Sequence, residues 1–173
     1  MTADGRTSAS VTRYRWVESP LGRLLIAGDG EGLRSIAFDR EDRRCTPESD
    51  WIRDDGLLVD PASQLEAYFA GQLVRFDLDL APTGTEFQIA VWKALEAIPY
   101  GETVSYGEIA KRIGKPTAVR AVGTANGANP LPIVIPCHRV IGKDGSLTGY
   151  GGGLNLKASL LELERSVTHP RLF

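Results

Sequence analysis

The chain has 173 residues, of which 42% are hydrophobic and 24% are charged, and its formal net charge at neutral pH is −2. This composition favours a folded chain over a disordered one, and no stretch approaches the roughly 20 consecutive apolar residues that a membrane span needs. Residues 1–10 are polar and lack the apolar segment of a secretion signal, and two cysteines do not make a disulfide framework. We therefore expect a cytoplasmic protein of one domain or two small ones, with no membrane partner.

In the first half of the chain, three segments rich in branched and aromatic residues predict an antiparallel meander over residues 11–17, 24–27 and 33–38. Asp60 followed by Pro61 predicts the N-cap and first residue of a helix, and Gly71 predicts its end. Residues 76–80 are a candidate for one further strand. The first half therefore reads as a small antiparallel sheet with a helix.

Charge and turn residues divide the chain near its middle. Residues 1–84 carry 10 basic and 15 acidic side chains, a net charge of −5, whereas residues 85–173 carry 10 basic and 7 acidic ones, a net charge of +3. Residues 81–84 have the composition of a linker. We expect one domain at 1–84 and a second at 85–173, and the positive second half fits a polyanionic partner.

The second half is predicted to be mainly helical, which makes the fold α+β. Thr85 and Gln88 have the spacing of a capping box, and apolar residues recur at steps of three and four up to Ile98, so we expect a helix over 85–98. Two shorter helices are expected over 105–112 and 117–126, joined by a glycine-containing turn. This pair is a helix-turn-helix candidate that would present Arg120 to DNA; an ordinary helical hairpin is the alternative.

The apolar run at residues 133–141 is interrupted by a thiol, an imidazole and a guanidinium, at Cys137, His138 and Arg139. Such groups are costly to bury unless they serve one another or a ligand, and a neighbouring basic side chain can lower the pKa of a thiol. We expect Cys137 to be reactive and His138 to be its base; an inert buried cysteine is the alternative. Because neighbours on a strand face opposite sides, either the backbone turns at Pro136 or a water carries the proton.

The residues Pro136-Cys137-His138-Arg139-Val140 stand between Asn129-Pro130 and a Tyr150-Gly151-Gly152-Gly153 segment. This pattern resembles the active-site signature of the O6-alkylguanine-DNA alkyltransferases, and residues 19–22 and 65–71 resemble the N-terminal domain of that family. The resemblance implies DNA repair in which an alkyl group moves from O6 of guanine, or O4 of thymine, to Cys137 and stays there. It implies no cofactor, and no Cys/His spacing supplies four zinc ligands.

The resemblance also implies roles for single residues. Cys137 would accept the alkyl group, His138 would take the thiol proton through water, and Glu164 would orient the imidazole. Tyr106 would protonate the departing guanine, and Asn129 would brace the turn that leads to the cysteine. The alternatives are a solvated helix charge for Glu164, a purely structural tyrosine, and an ordinary Asn-Pro turn.

The implied partner is double-stranded DNA that carries O6-alkylguanine and is bound through its minor groove, with no obligatory protein partner. The damaged nucleotide has to leave the base stack to reach a thiol inside the protein, and Arg120 would fill the vacated space. The expected DNA contacts are Thr117, Ala118, Arg120, Ala121, Gly123 and Arg139, and the expected pocket residues are Val140, Tyr150, Gly151 and Gly152.

Two other classes of protein share parts of this pattern. A cysteine hydrolase would also use a Cys-His-Glu set, but it would turn over and would not need a helix-turn-helix. An alkyltransferase-like protein that binds lesions without repairing them would carry tryptophan in place of Cys137. The other cysteine, Cys45, lies in a charged stretch and matches no role in the family.

Overall fold

A four-stranded sheet forms the N-terminal part of the computed structural model, which describes residues 10–171; residues 1–9 of the predicted polar segment lie outside it. Its strands are β1 (Arg13–Val17), β2 (Arg23–Asp29), β3 (Gly32–Asp39) and β4 (Ile52–Arg53). The strand order is β3-β2-β1-β4, and the first three strands pair antiparallel, which confirms the predicted meander. The short β4, which pairs parallel to β1, was not predicted.

The helix predicted after the sheet is α1 (Val59–Phe69), whose buried side chains include Leu65 and Tyr68. Asp60 is not its N-cap, so that prediction is wrong: Leu58 takes the cap position in a left-handed conformation with φ 56°. Asp60 lies in the first turn, where its negative charge favours the positive end of the helix dipole. The predicted end at Gly71 is confirmed, because Gly71 follows the cap with φ 71°.

No strand forms over residues 76–80, so that prediction is also wrong; Leu80 makes only an isolated bridge to Leu33. The physical reason is competition from α1. The Asp77 amide donates to Gln64 Oε1 at 2.8 Å, and Gln64 Nε2 donates to the Asp77 carbonyl at 2.9 Å. A side chain of α1 thus uses the backbone groups that a strand ladder would need.

The second half is mainly helical, as predicted, and begins with α2 (Glu86–Glu96). Thr85 is the N-cap of α2, and both hydrogen bonds of the predicted capping box with Gln88 are present. The chain continues through β5 (Val104–Ser105), α3 (Tyr106–Arg112), α4 (Val119–Gly127), a 3-10 turn (Cys137–Arg139), β6 (Val140–Ile141) and α5 (Leu154–Thr168). The predicted pair of short helices is therefore present as α3 and α4, and the α+β class is confirmed.

Buried side chains from both halves form one continuous core. Trp92 Nε1 on α2 donates to the Ala125 carbonyl on α4 at 2.9 Å, which ties these two helices together. The Ile36 amide on β3 donates to the Pro130 carbonyl at 2.9 Å, so the sheet also holds the segment between α4 and Cys137. Within residues 10–171, every helix is too short or too polar to span a bilayer.

Candidate active site

Cys137 begins the 3-10 turn and does not lie in a strand. Pro136 precedes it with φ −80° and ψ 64°, and the Arg139 amide donates back to the Pro136 carbonyl at 3.0 Å. The backbone therefore turns at Pro136, which was one of the two expected ways for Cys137 and His138 to escape strand geometry. Both side chains are buried, with 4% of Cys137 and none of His138 exposed.

The loop that delivers Cys137 is braced by Asn129. Its Nδ2 donates to the Ile135 carbonyl at 2.8 Å, and its Oδ1 accepts from the Leu131 amide at 2.9 Å. Between these contacts Ile133 has φ 77°, a conformation that is strained for a β-branched residue and persists only where the surroundings enforce it. The Asn129 side chain therefore bridges the two ends of this turn, and its part in the reaction stays a prediction.

Glu164 on α5 is fully buried, so it is not a solvated helix charge. His138 Nε2 lies 2.7 Å from Oε1, and Arg139 donates from Nη2 to Oε1 and from Nε to Oε2, each at 2.9 Å. The Tyr68 hydroxyl donates to Oε1 at 2.8 Å, and the Gly101 amide donates to Oε2 at 3.1 Å. Burial alone would raise the pKa of Glu164, but the hydrogen bonds and charges of His138 and Arg139 lower it to about 2.

His138 faces Glu164 through Nε2, so the tautomer that suits this contact carries the hydrogen on Nε2 and leaves a lone pair on Nδ1. Nδ1 is buried and has no hydrogen-bond partner among residues 10–171. Burial lowers the pKa of His138, against the opposing effect of the Glu164 carboxylate. A neutral imidazole with a free Nδ1 can accept a proton.

The Cys137 thiol has a raised pKa of about 11, because burial disfavours the thiolate more than the Asn129 amide and the Lys157 charge favour it. The prediction that an adjacent basic side chain lowers this pKa is wrong. Arg139 does not turn toward the sulfur; its guanidinium is paired with Glu164 and donates to the Ile98 carbonyl at 2.7 Å. The resting group is a thiol, and a base has to remove its proton.

Two of the predicted contact residues have side chains that lie inside the protein. Arg139 was expected to contact DNA, but only 6% of it is exposed and its donors are used inside the protein. Val140 was expected to line the base pocket, but it is fully buried in β6, which pairs with β5. The residues after Cys137 run into the core, so the prediction that the Arg139 side chain contacts DNA is wrong. The burial of the Val140 side chain does not test a contact through the Val140 backbone, and its pocket role stays a prediction.

A cleft of about 460 Å³ opens beside Cys137. Of the predicted pocket residues, Tyr150, Gly151 and Gly152 line it. The N-terminal half supplies the opposite wall, including Phe38, Arg40, Cys45 and Trp51, which the sequence did not predict. The Tyr150 hydroxyl is buried without a hydrogen-bond partner in the described chain, and burial, together with the charge that Cys137 would carry, raises the pKa of Tyr150.

Tyr106, the first residue of α3, lies beside the loop that follows β6. Its hydroxyl donates to the Thr148 carbonyl at 2.9 Å, and Lys157 Nζ donates to the same oxygen at 2.9 Å. Lys157 also donates to the Val140 carbonyl, and burial lowers its pKa. Sequence reasoning missed Lys157, although its spacing from Leu160 and Glu164 places all three on the buried face of α5.

The outer face of the helix pair carries most of the predicted DNA contacts. Arg120, Ala121 and the preceding Thr117 are exposed, whereas Ala118 and Gly123 are half-buried. A side chain added at Gly123 would meet the Tyr106 ring at 3.9 Å, so this position packs against the first helix of the pair. Arg120 thus lies on a solvent-facing surface, on the helix whose opposite side packs into the core.

Two family profiles match the chain. Residues 86–166 match the DNA-binding domain of 6-O-methylguanine DNA methyltransferase, and residues 12–82 match its ribonuclease-like domain. The methylated-DNA–protein-cysteine methyltransferase of Methanosarcina acetivorans is 54% identical over 88% of this chain and 98% of its own length. The chain belongs to this methyltransferase family.

The fold of this methyltransferase is also similar to those of solved structures. The Mycobacterium tuberculosis OGT solved in complex with DNA matches with a TM-score of 0.84 and 54% identity, over 90% of this chain and 94% of that one. The O6-methylguanine-DNA methyltransferase of Pyrococcus kodakaraensis matches with a TM-score of 0.61 and 26% identity, over 88% and 98%. The shared fold therefore includes both the sheet and the helical half.

The low pKa of Glu164 makes the free energy of unfolding depend on pH in the acidic range. Because the folded-state pKa is depressed from 4.5 to about 2, the carboxylate stabilises the fold above about pH 4.5 and this stabilisation is lost as the pH falls toward about 2. We expect the free energy of unfolding, measured by urea titration, to fall more steeply over this interval in the wild type than in Glu164→Gln. The exposed neighbour provides a control, Glu162→Gln, which should keep the wild-type slope. Equal slopes for the two variants would contradict the pKa assignment.

Proposed function

We propose that this methyltransferase repairs DNA by moving an alkyl group from O6 of guanine to its own Cys137. The observation that carries the proposal is the buried set of Cys137, His138 and Glu164, in which Nδ1 of the imidazole is left free, beside a cleft. The names of relatives that are 54% identical, which specify methylated DNA and a protein cysteine, support it. A cytoplasmic location with access to the chromosome suits such a substrate.

The reaction is a displacement at the alkyl carbon. Cys137 Sγ attacks this carbon, the S–C bond forms as the C–O6 bond breaks, and the bonding electron pair goes to O6. The thiol proton passes through water to His138 Nδ1, and the Glu164 carboxylate stabilises the imidazolium. Because the pKa of the thiol is raised to about 11, this proton transfer is needed to generate the nucleophile at neutral pH.

Tyr106 neutralises the departing guanine. Its hydroxyl has to leave the Thr148 carbonyl and donate its proton to the base, after which the imidazolium restores that proton through solvent. Guanine has then exchanged its alkyl group for the thiol proton. A thioether is not readily hydrolysed, so each protein molecule accepts one alkyl group.

The substrate nucleotide reaches this site by rotating out of duplex DNA. The exposed Arg120 on α4 fills the space that the nucleotide leaves, and the small residues Ala118 and Ala121 let the helix approach the minor groove. Gly123 contributes by allowing α4 to pack closely against Tyr106 of α3. The net charge of +3 on residues 85–173 supports an interaction with phosphates. Tyr150 and the glycines after it form the wall of the pocket for the extruded base.

Alkyl transfer can be followed directly by mass spectrometry of the whole protein and of its peptides. After incubation with excess duplex that contains one O6-methylguanine, we expect one methyl group per protein molecule, located on Cys137. The Cys137→Ser variant should gain none, and Cys45→Ser, which alters the other thiol at the cleft, should react like the wild type. Repeated turnover, or an unmodified Cys137, would overturn the proposed function.

The proposed role of Arg120 predicts a loss that depends on the substrate. Arg120→Ala should slow the repair of duplex DNA by more than about tenfold, because extrusion of a nucleotide costs a few kcal/mol, and should leave the reaction with free O6-benzylguanine nearly unchanged. Single-turnover rates on both substrates measure this difference. Arg165→Ala removes an exposed arginine on α5 and should affect neither rate. If Arg120→Ala slowed the reactions with duplex DNA and with free O6-benzylguanine equally, Arg120 would not be the residue that fills the vacated space.

A further inference from the structure

The N-terminal half contributes a side chain to the buried hydrogen-bond network behind the cysteine. Tyr68 lies on α1, and its hydroxyl donates to Glu164 Oε1 at 2.8 Å, the same oxygen that His138 contacts at 2.7 Å. Tyr68 is fully buried. Nothing in the proposed reaction uses this hydroxyl, yet it competes with the imidazole for one carboxylate oxygen.

We propose that Tyr68 is a positioning residue of alkyl transfer: by donating to Glu164, it limits how strongly that carboxylate attracts the proton held by His138. This inference rests on the proposed function, because it assigns His138 as the base of Cys137. Each hydrogen bond that a carboxylate accepts stabilises its charge and weakens its attraction for a further proton. Removal of the Tyr68 hydroxyl therefore strengthens the bond from His138 to Glu164 and makes the imidazole a stronger base.

The Tyr68 hydroxyl is held as a permanent donor. Burial and the neighbouring Glu164 charge raise the pKa of Tyr68 above its ordinary value, so the phenol keeps its hydrogen at neutral pH. The ring is fixed edge-on against Phe69 and Tyr100, with centroid distances of 5.4 and 6.1 Å. Because these contacts involve only the ring, phenylalanine preserves them while it removes the donor.

Each element that packs against Glu164 and His138 also carries a titratable or charged group. These groups are unchanged in a Tyr68 variant. They are Tyr100 after α2, Cys137 and Arg139 in the 3-10 turn, Tyr150 in the pocket loop and Lys157 on α5. Tyr100 provides a matched control. Its hydroxyl is also buried, but it has no hydrogen-bond partner among residues 10–171, so its removal leaves the five donors to Glu164 intact.

The test is an NMR titration of the His138 imidazole in Tyr68→Phe, Tyr100→Phe and the wild type, which is simplified because the chain has only two histidines. We expect the pKa of His138 to rise by about half a unit or more in Tyr68→Phe and to stay unchanged in Tyr100→Phe. The rate of alkyl transfer at high pH should rise by the same factor, about threefold, since thiolate formation follows imidazole basicity. A purely structural role for Tyr68 would lower the rate at every pH without moving the His138 titration.

A second substitution gives a shift of opposite sign. Incorporation of 3-fluorotyrosine at position 68 makes the phenol a stronger donor, so the pKa of His138 should fall. An unchanged His138 titration in both Tyr68→Phe and the fluorinated protein would overturn the proposal. The NMR readout needs no substrate, so it stays informative even if the wild-type protein transfers no alkyl group, which is the result that would refute the proposed function itself.

Discussion

The arrangement of the active site depends on one buried carboxylate. Glu164 receives five hydrogen bonds, which come from α1, from the turn after α2 and from the 3-10 turn that begins at Cys137. A buried charge is costly unless it is fully paired, so the segments that supply these donors are restricted to one relative placement. The sheet-bearing half is thereby coupled to the chemistry through Tyr68, although the thiol lies in the other half.

Burial has opposite effects on the pKa values of the proposed proton donor, Cys137, and the proposed base, His138. It raises the pKa of Cys137 and lowers the pKa of His138, so both groups rest in their neutral forms. A neutral thiol is a poor nucleophile and resists oxidation and unspecific alkylation, whereas a neutral imidazole can act as a base. In the proposed mechanism, Glu164 favours the imidazolium that forms when His138 takes the proton. The proposed mechanism therefore starts from an unreactive thiol, which becomes a nucleophile only when its proton is removed.

The sequence was sufficient where local pattern decides structure. The capping box at Thr85 and the apolar stripe after it specified α2, and the interruption of an apolar run marked Cys137 and His138. The sequence was insufficient where a residue's structure depends on a partner that is distant in the chain. Arg139 resembled a surface cation until Glu164, 25 positions away in the chain, was seen to pair with it. Likewise, residues 76–80 had strand composition, but Gln64 on α1 takes their backbone groups.

The central claim is that His138, held by Glu164, takes the proton of a thiol whose own pKa is about 11. The most direct test is the single-turnover rate of methyl transfer from a duplex with one lesion, measured in the wild type as a function of pH. If the claim holds, the rate rises through the titration of His138 and is flat between about pH 7 and about pH 9, above the ordinary range of histidine. A rate that continues to increase tenfold per pH unit through that interval would show that the thiol ionises without the imidazole, which would contradict the claim.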